Sequence, residues 1–381
     1  MSQASPFYTT DHETFRSQIR RFVEKECVPH IEAWEAAGEL PRALHVQAAA
    51  AGLLGIGFPE EYGGAGVLDP FYLIVAMQEL ARAGSGGLIA SLMSHGIASP
   101  PVMHVGTPEQ KERFLRPVLE GRKIAALGIT EPGGGSDVAN LRTRAERNGS
   151  DYVVNGSKTF ITSGMRADFI TLAVRTGAAV LGGVSLLVVD TATPGFSRTP
   201  LDKMGWRCSD TATLYFDNCR IPATNLLGAE NQGFMTIMRN FNSERIMLAA
   251  QAWAFGMVCY EDALEWARTR QTFGRPLITR QVIRHRLVDM KMALDAVKAT
   301  LDITAWHVAQ GAAPVADVCM LKNLATATLE RVAGEAVQIL GGAGYLRGIR
   351  VERIFRETKV LSIGGGASEV MKDLAARQMR Y

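Results

Sequence analysis

A block of short β-prone runs stands between two long helical regions, and that order restricts the fold more than any other feature of the chain. Asn148-Gly149 and Asn155-Gly156 are tight-hairpin pairs, because the favoured two-residue turns need positive φ. Around them lie Tyr152–Val154, Phe160–Ile161, Phe169–Val174, Val184–Val189 and Leu214–Phe216, each bounded by turn residues. Residues 124–225 therefore read as a small antiparallel β domain. Before it, Phe15, Ile19, Phe22, Val23, Ile31 and Trp34 recur at helical spacing behind a capping-box pattern running from Thr10 to Glu13. Further helical patterns at about 41–52, 69–83, 86–99 and 107–119 make residues 1–123 an all-α domain. After the strands the helical period returns and covers about 233–271, 280–309 and 315–340, with breaks at Gly341–Gly344 and Gly364–Gly366. Residues 226–381 read as a second all-α domain, and a chain of 381 residues is long enough for each part to bury a core.

Charge and cysteine usage exclude several function classes. The 41 basic and 38 acidic residues nearly cancel, which gives no basis for general electrostatic binding to nucleic acid or to a membrane surface. Cys27, Cys208, Cys219, Cys259 and Cys319 are scattered without CxxC spacing, as expected of thiols in a reducing compartment and not of structural zinc. The histidines are dispersed with no HExxH, so no metal site is expected. Met1–Thr10 lacks a charged-then-apolar signal pattern, and no apolar run reaches the ~18–20 residues that span a bilayer. A cytoplasmic protein with no nucleic-acid or membrane partner is the expectation.

Gly128–Ala139 reads Gly-Ile-Thr-Glu-Pro-Gly-Gly-Gly-Ser-Asp-Val-Ala. Successive glycines let a backbone approach a ligand with no Cβ in the way. Thr130 and Ser136 can donate hydrogen bonds, and adjacent backbone N–H groups can cradle an anion. Taken alone, such a loop is more often a surface turn. The chain has no GxxxxGK[ST] and no GxGxxG between a strand and a helix, which excludes a P-loop protein and a Rossmann dehydrogenase.

Several motifs in one order change that reading. They are Thr130-Glu-Pro-Gly-Gly-Gly-Ser-Asp137, Lys158-Thr-Phe-Ile-Thr-Ser-Gly164, Met204-Gly-Trp-Arg-Cys-Ser-Asp210, Arg270-Gln-Thr-Phe-Gly274 and Gln338-Ile-Leu-Gly-Gly-Ala-Gly-Tyr345. In their order and spacing, from the first helix to the last residues, the chain resembles the acyl-CoA dehydrogenase family. The resemblance implies an α+β multi-domain subunit: an N-terminal helical domain, a central antiparallel β domain and a C-terminal four-helix-bundle-like domain. It implies FAD as cofactor and a homotetramer, a dimer of dimers. It also implies α,β-dehydrogenation of an acyl-CoA thioester to a trans-2-enoyl-CoA, with electrons passing to an electron-transferring flavoprotein.

Site residues carry over where the motifs match. Thr130 and Ser136 would lie along the flavin, Phe160 against the isoalloxazine where many members have Trp, and Thr162 near its reactive edge. By position Arg270 is an ordinary cation at a helix end. The family uses that Arg on the FAD pyrophosphate of the neighbouring subunit, where a planar guanidinium fork suits a diphosphate. Gln281, Gln338 and Gly342 match further cofactor positions. Glu369 stands where relatives approach the FAD ribose and adenine, although a plain helix-start carboxylate fits as well. Ser136 and Arg245 are the substrate-side candidates.

The resemblance also bears on the catalytic base. Removing the α-proton needs a carboxylate in a water-excluding pocket that raises its pKa. Many members carry that Glu in a Tyr-Glu-Gly-Thr segment; here the aligned segment is Gly364-Gly-Gly-Ala367, with Gly365 at the Glu position. The isovaleryl and long-chain branches place the base on a long helix in a Glu-Arg pair, which Asn242-Ser-Glu-Arg245 resembles, so Glu244 is the candidate base. Two carboxylates together would repel one another. Gly365 is expected to leave the space open, with its N–H placed to polarise the thioester carbonyl. By composition alone Glu244 is an ordinary solvated helix carboxylate, and Arg245 is either its ion-pair partner or a substrate contact. Glu131 and Asp137 are assigned to shaping the loop. A flavin-dependent monooxygenase on the same fold and a non-catalytic flavin- or CoA-binding subunit are the alternatives; Glu244 disfavours the first. Small residues around Leu88–Ser99 (Ala90, Ser91, Ser94, Gly96, Ala98) suggest room for a longer or branched acyl group, or else close helix packing.

Overall fold

The computed structural model describes residues 5–180 and 182–381. They form two compact units: one collects the residues up to Ala33 with Leu68–Ile89 and Asn242–Tyr381, the other Trp34–Val67 with Ala90–Phe241.

The first unit is helical apart from one small hairpin. Its main helices are α1 (Thr10–Phe22), α2 (Pro70–Ala81), α3 (Gly233–Thr269, in this unit from Asn242 on), α4 (Gln281–Ala309), α5 (Val315–Leu340), α6 (Arg350–Ile363) and α7 (Ser368–Gln378). α5 lies at the centre and packs against α4, α6 and α7, while α2 touches both α1 and α4. The sequence accounts for this position. Val318, Leu321, Ala325, Leu329, Val332, Ala336 and Ile339 are buried at three- and four-residue steps. Where α3 meets α4, Trp253 Nε1 donates to Leu294 O at 3.0 Å. One turn on, a Cβ at Gly256 would stand 2.5 Å from Leu294 Cδ2, so the missing side chain lets the two helices close up.

The cap of α1 lies one residue earlier than the sequence suggests. Thr9 is the N-cap: its hydroxyl accepts from His12 N at 3.4 Å, and His12 Nδ1 accepts from Thr9 N at 3.0 Å. The imidazole takes the part usually played by Glu or Gln. Its Nε2 lies 3.1 Å from Asp69 Oδ2, and Asp69 caps α2 by accepting from Phe71 N at 2.9 Å. One buried histidine thus ties the starts of two helices together.

The second unit is built on an eight-stranded sheet: β1 (Ala125–Gly128), β2 (Arg144–Asn148), β3 (Asp151–Thr162), β4 (Phe169–Arg175), β5 (Val184–Asp190), β6 (Phe196–Pro200), β7 (Thr211–Pro222) and β8 (Leu226–Leu227). The order is β6-β7-β3-β2-β4-β5-β8, with β1 paired to β4. Hairpin neighbours are antiparallel as expected, but β1 and β2 each meet β4 in parallel, so the sheet is mixed. The whole β2–β3 hairpin lies between β1 and β4, which gives the chain the long crossover that parallel pairing requires. In β4, Phe169 and Ala173 face a core containing Phe114, Leu115 and Val118, while Ile170, Leu172 and Val174 face a second core with Tyr152, Leu187 and Phe216. Burial on both faces explains why β4 and β5 read as unbroken apolar runs.

Of the two Asn-Gly pairs, one makes a hairpin. Asn148 pairs with Asp151 across the β2–β3 turn, and Gly149 supplies its positive φ of 62°. Asn155-Gly156 instead lies inside β3 at a register shift between Val154 and Gly156. Gly156 has φ 148°, and a Cβ there would come within 2.7 Å of Thr143 Cα. Asn155 Oδ1 accepts from Asn218 N at 2.8 Å, which spends the turn chemistry on a bulge in a long strand. Small residues preceding the sheet serve packing: Ser94 Oγ donates to Ala125 O at 3.1 Å, and Thr171 Oγ1 donates to Ala98 O at 2.7 Å.

The Gly256–Leu294 contact makes a testable coupling. Gly256→Ala is expected to destabilise by about 1–3 kcal/mol through overpacking, although alanine favours the helix. In a Leu294→Ala background the same change should become neutral or stabilising. Denaturant unfolding of the four chains measures the coupling, and simple additivity would refute the close-packing account.

Candidate functional site

In the second unit the glycine-rich loop is held from beneath. Glu131 N donates to Gly134 O at 3.2 Å and Gly134 N to Glu131 O at 3.0 Å, closing a tight turn around Pro132 and Gly133. The Glu131 carboxylate points inward and accepts from Arg142 N at 2.6 Å, Thr143 N at 2.8 Å and Lys158 Nζ at 2.8 Å. Lys158 is fully buried and also donates to Ile129 O at 3.0 Å. Burial pushes this lysine down to about 8 against the pull of Glu131. For Glu131, burial raises the carboxyl, but the lysine and the N–H donors outweigh it and leave a net lowering. Asp137 accepts from Asn140 Nδ2 at 2.6 Å within the same loop.

Above this support the loop presents bare backbone. A Cβ at Gly133 or Gly134 would meet nothing within 4 Å, and neither residue has positive φ. Their lack of side chain is therefore not needed for the turn; what it leaves is an open surface. Thr130 is half-buried, with its carbonyl accepting from Thr159 N at 2.8 Å, and Ser136 is exposed. In β3 the register shifts between Lys158 and Ile161, and Phe160 sits there at φ 59° and 69% exposed. A bulky residue held at positive φ with its ring in solvent is unfavourable in both respects, and such outliers concentrate at functional sites. Thr162 ends the strand, half-buried and paired with Thr211. Two hydroxyls, an outward aromatic and Cβ-free backbone on one unit fit the polar edge and ring face of a flavin.

In the first unit, the remaining cofactor candidates lie at element ends. Arg270 follows α3, exposed, with its guanidinium 5.9 Å from the Trp266 ring centroid and its carbonyl accepting from Leu277 N at 2.7 Å. The hairpin of β9 (Gln271–Thr272) and β10 (Arg275–Pro276) follows, with Phe273 96% exposed at its tip. Gln281 opens α4, Gln338 stands in the last turn of α5, and Gly342 lies in the Gly341–Tyr345 turn where an added Cβ would meet nothing. All four are exposed. Glu369 is exposed in the first turn of α7, where a helix N-terminus favours a carboxylate.

Glu244 and Gly365, distant in sequence, adjoin in space. Gly365 has φ 65°, and a Cβ on it would lie 3.7 Å from Glu244 Oε1. The space is not simply open, as the sequence suggested: the same Cβ would stand 2.5 Å from Leu248 Cδ1. Leu248, one turn beyond Glu244 on α3, fills part of the volume. Arg245 is buried and turns to the same loop, with Nε donating to Gly365 O at 3.2 Å and Nη1 to Asn242 Oδ1 at 3.3 Å. Burial drives the Glu244 carboxyl up to about 7, opposed by the positive charges of Arg245 and Lys322. Lys322, on α5, is the residue the motifs did not supply. It is fully buried, with Nζ donating to Gly366 O at 2.8 Å and Ser362 O at 3.2 Å. A signal was present: the helical period of α5 puts a lysine on its apolar face.

Comparison with known proteins bears on the family. Residues 9–122, 126–219 and 231–380 match the N-terminal, middle and C-terminal domain models of acyl-CoA dehydrogenase. The structure of a probable acyl-CoA dehydrogenase from Mycobacterium abscessus is 49% identical, superposes with a TM-score of 0.96, and matches over 98% of this chain and 100% of that one. Butyryl-CoA dehydrogenase from Megasphaera elsdenii is 33% identical with a TM-score of 0.94 and full coverage of both chains, 100% each. The mitochondrial long-chain specific acyl-CoA dehydrogenase of Rattus norvegicus is 35% identical over 376 residues, 98% of this chain and 87% of that protein. A helical unit and a unit built on a mixed sheet, the latter with an open glycine loop and an outward aromatic, fit a flavoprotein of the helical–β–helical class. The chain belongs to the acyl-CoA dehydrogenase family. It is an oxidoreductase acting on CH–CH donors, and FAD is its cofactor.

Removing the lysine beneath the loop tests its support. Lys158→Met strands Glu131 with only its backbone donors and is expected to cost about 3–5 kcal/mol, the usual range for breaking a buried pair. Glu131→Gln should cost less, because an amide oxygen still accepts from the loop N–H groups. Equal losses in urea unfolding would contradict this order.

Proposed function

We propose that Glu244 is the base that takes the α-proton of an acyl-CoA thioester, and that the Gly365 N–H polarises the thioester carbonyl as charge develops there. The observation that carries this reading is the carboxyl itself, adjoining Gly365 and pushed to about 7 by burial. A base poised near the working pH combines the ionised form with useful basicity. Below pH 7 Glu244 is protonated and idle; above it the carboxylate can accept a proton. The shift is upward, so ionising Glu244 costs stability: that contribution is complete at acid pH and is lost as pH rises through about 7.

Bound FAD supplies the acceptor for the β-hydride. Thr130, Ser136, Phe160 and Thr162 line the flavin in this reading. Arg270, with Gln281, Gln338 and Gly342, holds the dinucleotide end across the subunits of a homotetramer, and Glu369 lies towards the ribose. Ser136 and Arg245 serve the substrate side, Arg245 through the carbonyl of Gly365. Electrons leave to an electron-transferring flavoprotein. Among the described residues no helix is long and apolar enough to cross a membrane, and we place the reaction in the cytoplasm.

Glu244→Gln holoenzyme should retain its FAD while anaerobic flavin bleaching by acyl-CoA thioesters of graded length and branching falls by roughly 10²–10⁴-fold. In the unaltered protein the rate should rise with pH through about 7. Retained bleaching in Glu244→Gln would sink the assignment. A flavin that no thioester bleaches in the unaltered holoenzyme would favour the non-catalytic subunit. Adding Gly365→Glu to Glu244→Gln should lower thermal stability further, because that side chain must meet Leu248 from a left-handed backbone.

A further inference from the structure

Lys322 is buried on α5 between Cys319 and Ala325, on the face that packs against α6 and α7. Its ammonium donates to two carbonyls, Ser362 O in the last turn of α6 and Gly366 O just before α7. The two bonds bracket the Gly364–Gly366 turn. Arg245, from α3, takes the carbonyl between them, at Gly365. Three backbone oxygens around one glycine turn are thus held by two buried cations.

Two carbonyls do not account for a full charge at a site with no exposed surface. Taking an ammonium out of water costs several kcal/mol, and a neutral donor would serve the same oxygens more cheaply. The groups facing Lys322 show what the charge acts on: Glu244 and Arg245 from α3, Cys319 from its own helix and Glu369 from α7. Glu369 is exposed and screened by water, and Arg245 repels. The Cys319 thiol is neutral, since burial raises it further. Of the two carboxyls Glu244, half-buried on α3, is the more desolvated.

We propose that Lys322 is a positioning residue for the base: its ammonium pins the Gly364–Gly366 turn beside the Glu244 carboxyl and adds, with Arg245, to the positive charge around that carboxyl. The inference rests on Glu244 being the base. Burial raises that acid, and Arg245 and Lys322 together oppose the rise. The coupling is reciprocal, since Glu244 opposes the burial that drives Lys322 down to about 8. Arg245 adjoins Glu244 in the chain, but its guanidinium is engaged with Gly365 and Asn242. Lys322 also fixes both ends of the turn. Lys322 therefore acts both on the carboxyl, beside the larger effect of Arg245, and on the turn that carries the neighbouring N–H.

The test uses holoenzyme of Lys322→Met, Lys322→Gln, Lys322→Arg and Glu244→Gln. It follows the pH dependence of anaerobic flavin reduction by whichever acyl-CoA thioester bleaches the unaltered protein fastest. In the two neutral variants the acid limb should move upward by roughly one pH unit, the lower end of what a lost opposite charge produces. Lys322→Arg should return the limb to its original position. A merely structural lysine would lower stability or FAD content and leave the limb where it was. An unmoved limb in a folded neutral variant overturns the proposal, provided Glu244→Gln is inactive; an active Glu244→Gln would instead overturn the base assignment on which it rests. If neither neutral variant folds, Lys322→His decides, because an imidazole is largely uncharged above about pH 7: a limb moved upward there supports the proposal and an unmoved one overturns it.

Discussion

A half-buried carboxyl on a bundle helix loses much of its water, and much of the first unit's chemistry follows from how that loss is offset. Glu244 is raised to about 7 by burial, with Arg245 and Lys322 restraining the rise. Among the described contacts Lys322 makes no close ion pair with it. Both cations are occupied with backbone carbonyls of the turn that includes Gly365. A direct pair would have driven the carboxyl well below neutrality and left a poor base. Charge held one shell away keeps the acid ionisable without exhausting its basicity.

The two fully buried lysines make the contrast plain. Lys158 lies 2.8 Å from Glu131, and that carboxylate is committed to two backbone N–H groups as well. Its charge is neutralised locally, and the result is a rigid floor for a loop whose upper side is bare glycine. Among the described contacts Lys322 donates to two carbonyls and to no carboxylate, so its charge is not neutralised by a bonded partner. Burial lowers both to about 8, yet the partner chemistry gives them different uses, one structural and one electrostatic.

Long-period features were legible from the sequence because they are repeated many times. Helices expected at about 233–271, 280–309 and 315–340 are found at Gly233–Thr269, Gln281–Ala309 and Val315–Leu340. Local punctuation was less legible, since one residue can serve several ends. Asn155-Gly156 has hairpin chemistry and makes a bulge, and His12 completes a capping box in which Thr9, not Thr10, is the cap. The parallel contacts of β4 were invisible because strand runs do not reveal which partner lies alongside. For the site, motif order singled out Glu244 and the glycine loop. Lys322 was missed because it belongs to no motif and contributes only through tertiary packing.

Gly365 shows why the position of such a base cannot be exchanged by one substitution. Its φ of 65° suits glycine, and Leu248 stands 2.5 Å from where a Cβ would be. Leu248 is one turn from Glu244 on the same helix, so the helix that carries the acid also occupies the volume that an acid at 365 would need. Arg245 then binds the carbonyl of that glycine at 3.2 Å, which ties the turn to the same helix. The proposed base, the filled volume and the tether therefore all lie on α3, opposite this glycine. An acid at 365 would have to hold the left-handed backbone there and displace the end of the Leu248 side chain, on a turn that Arg245 ties to α3.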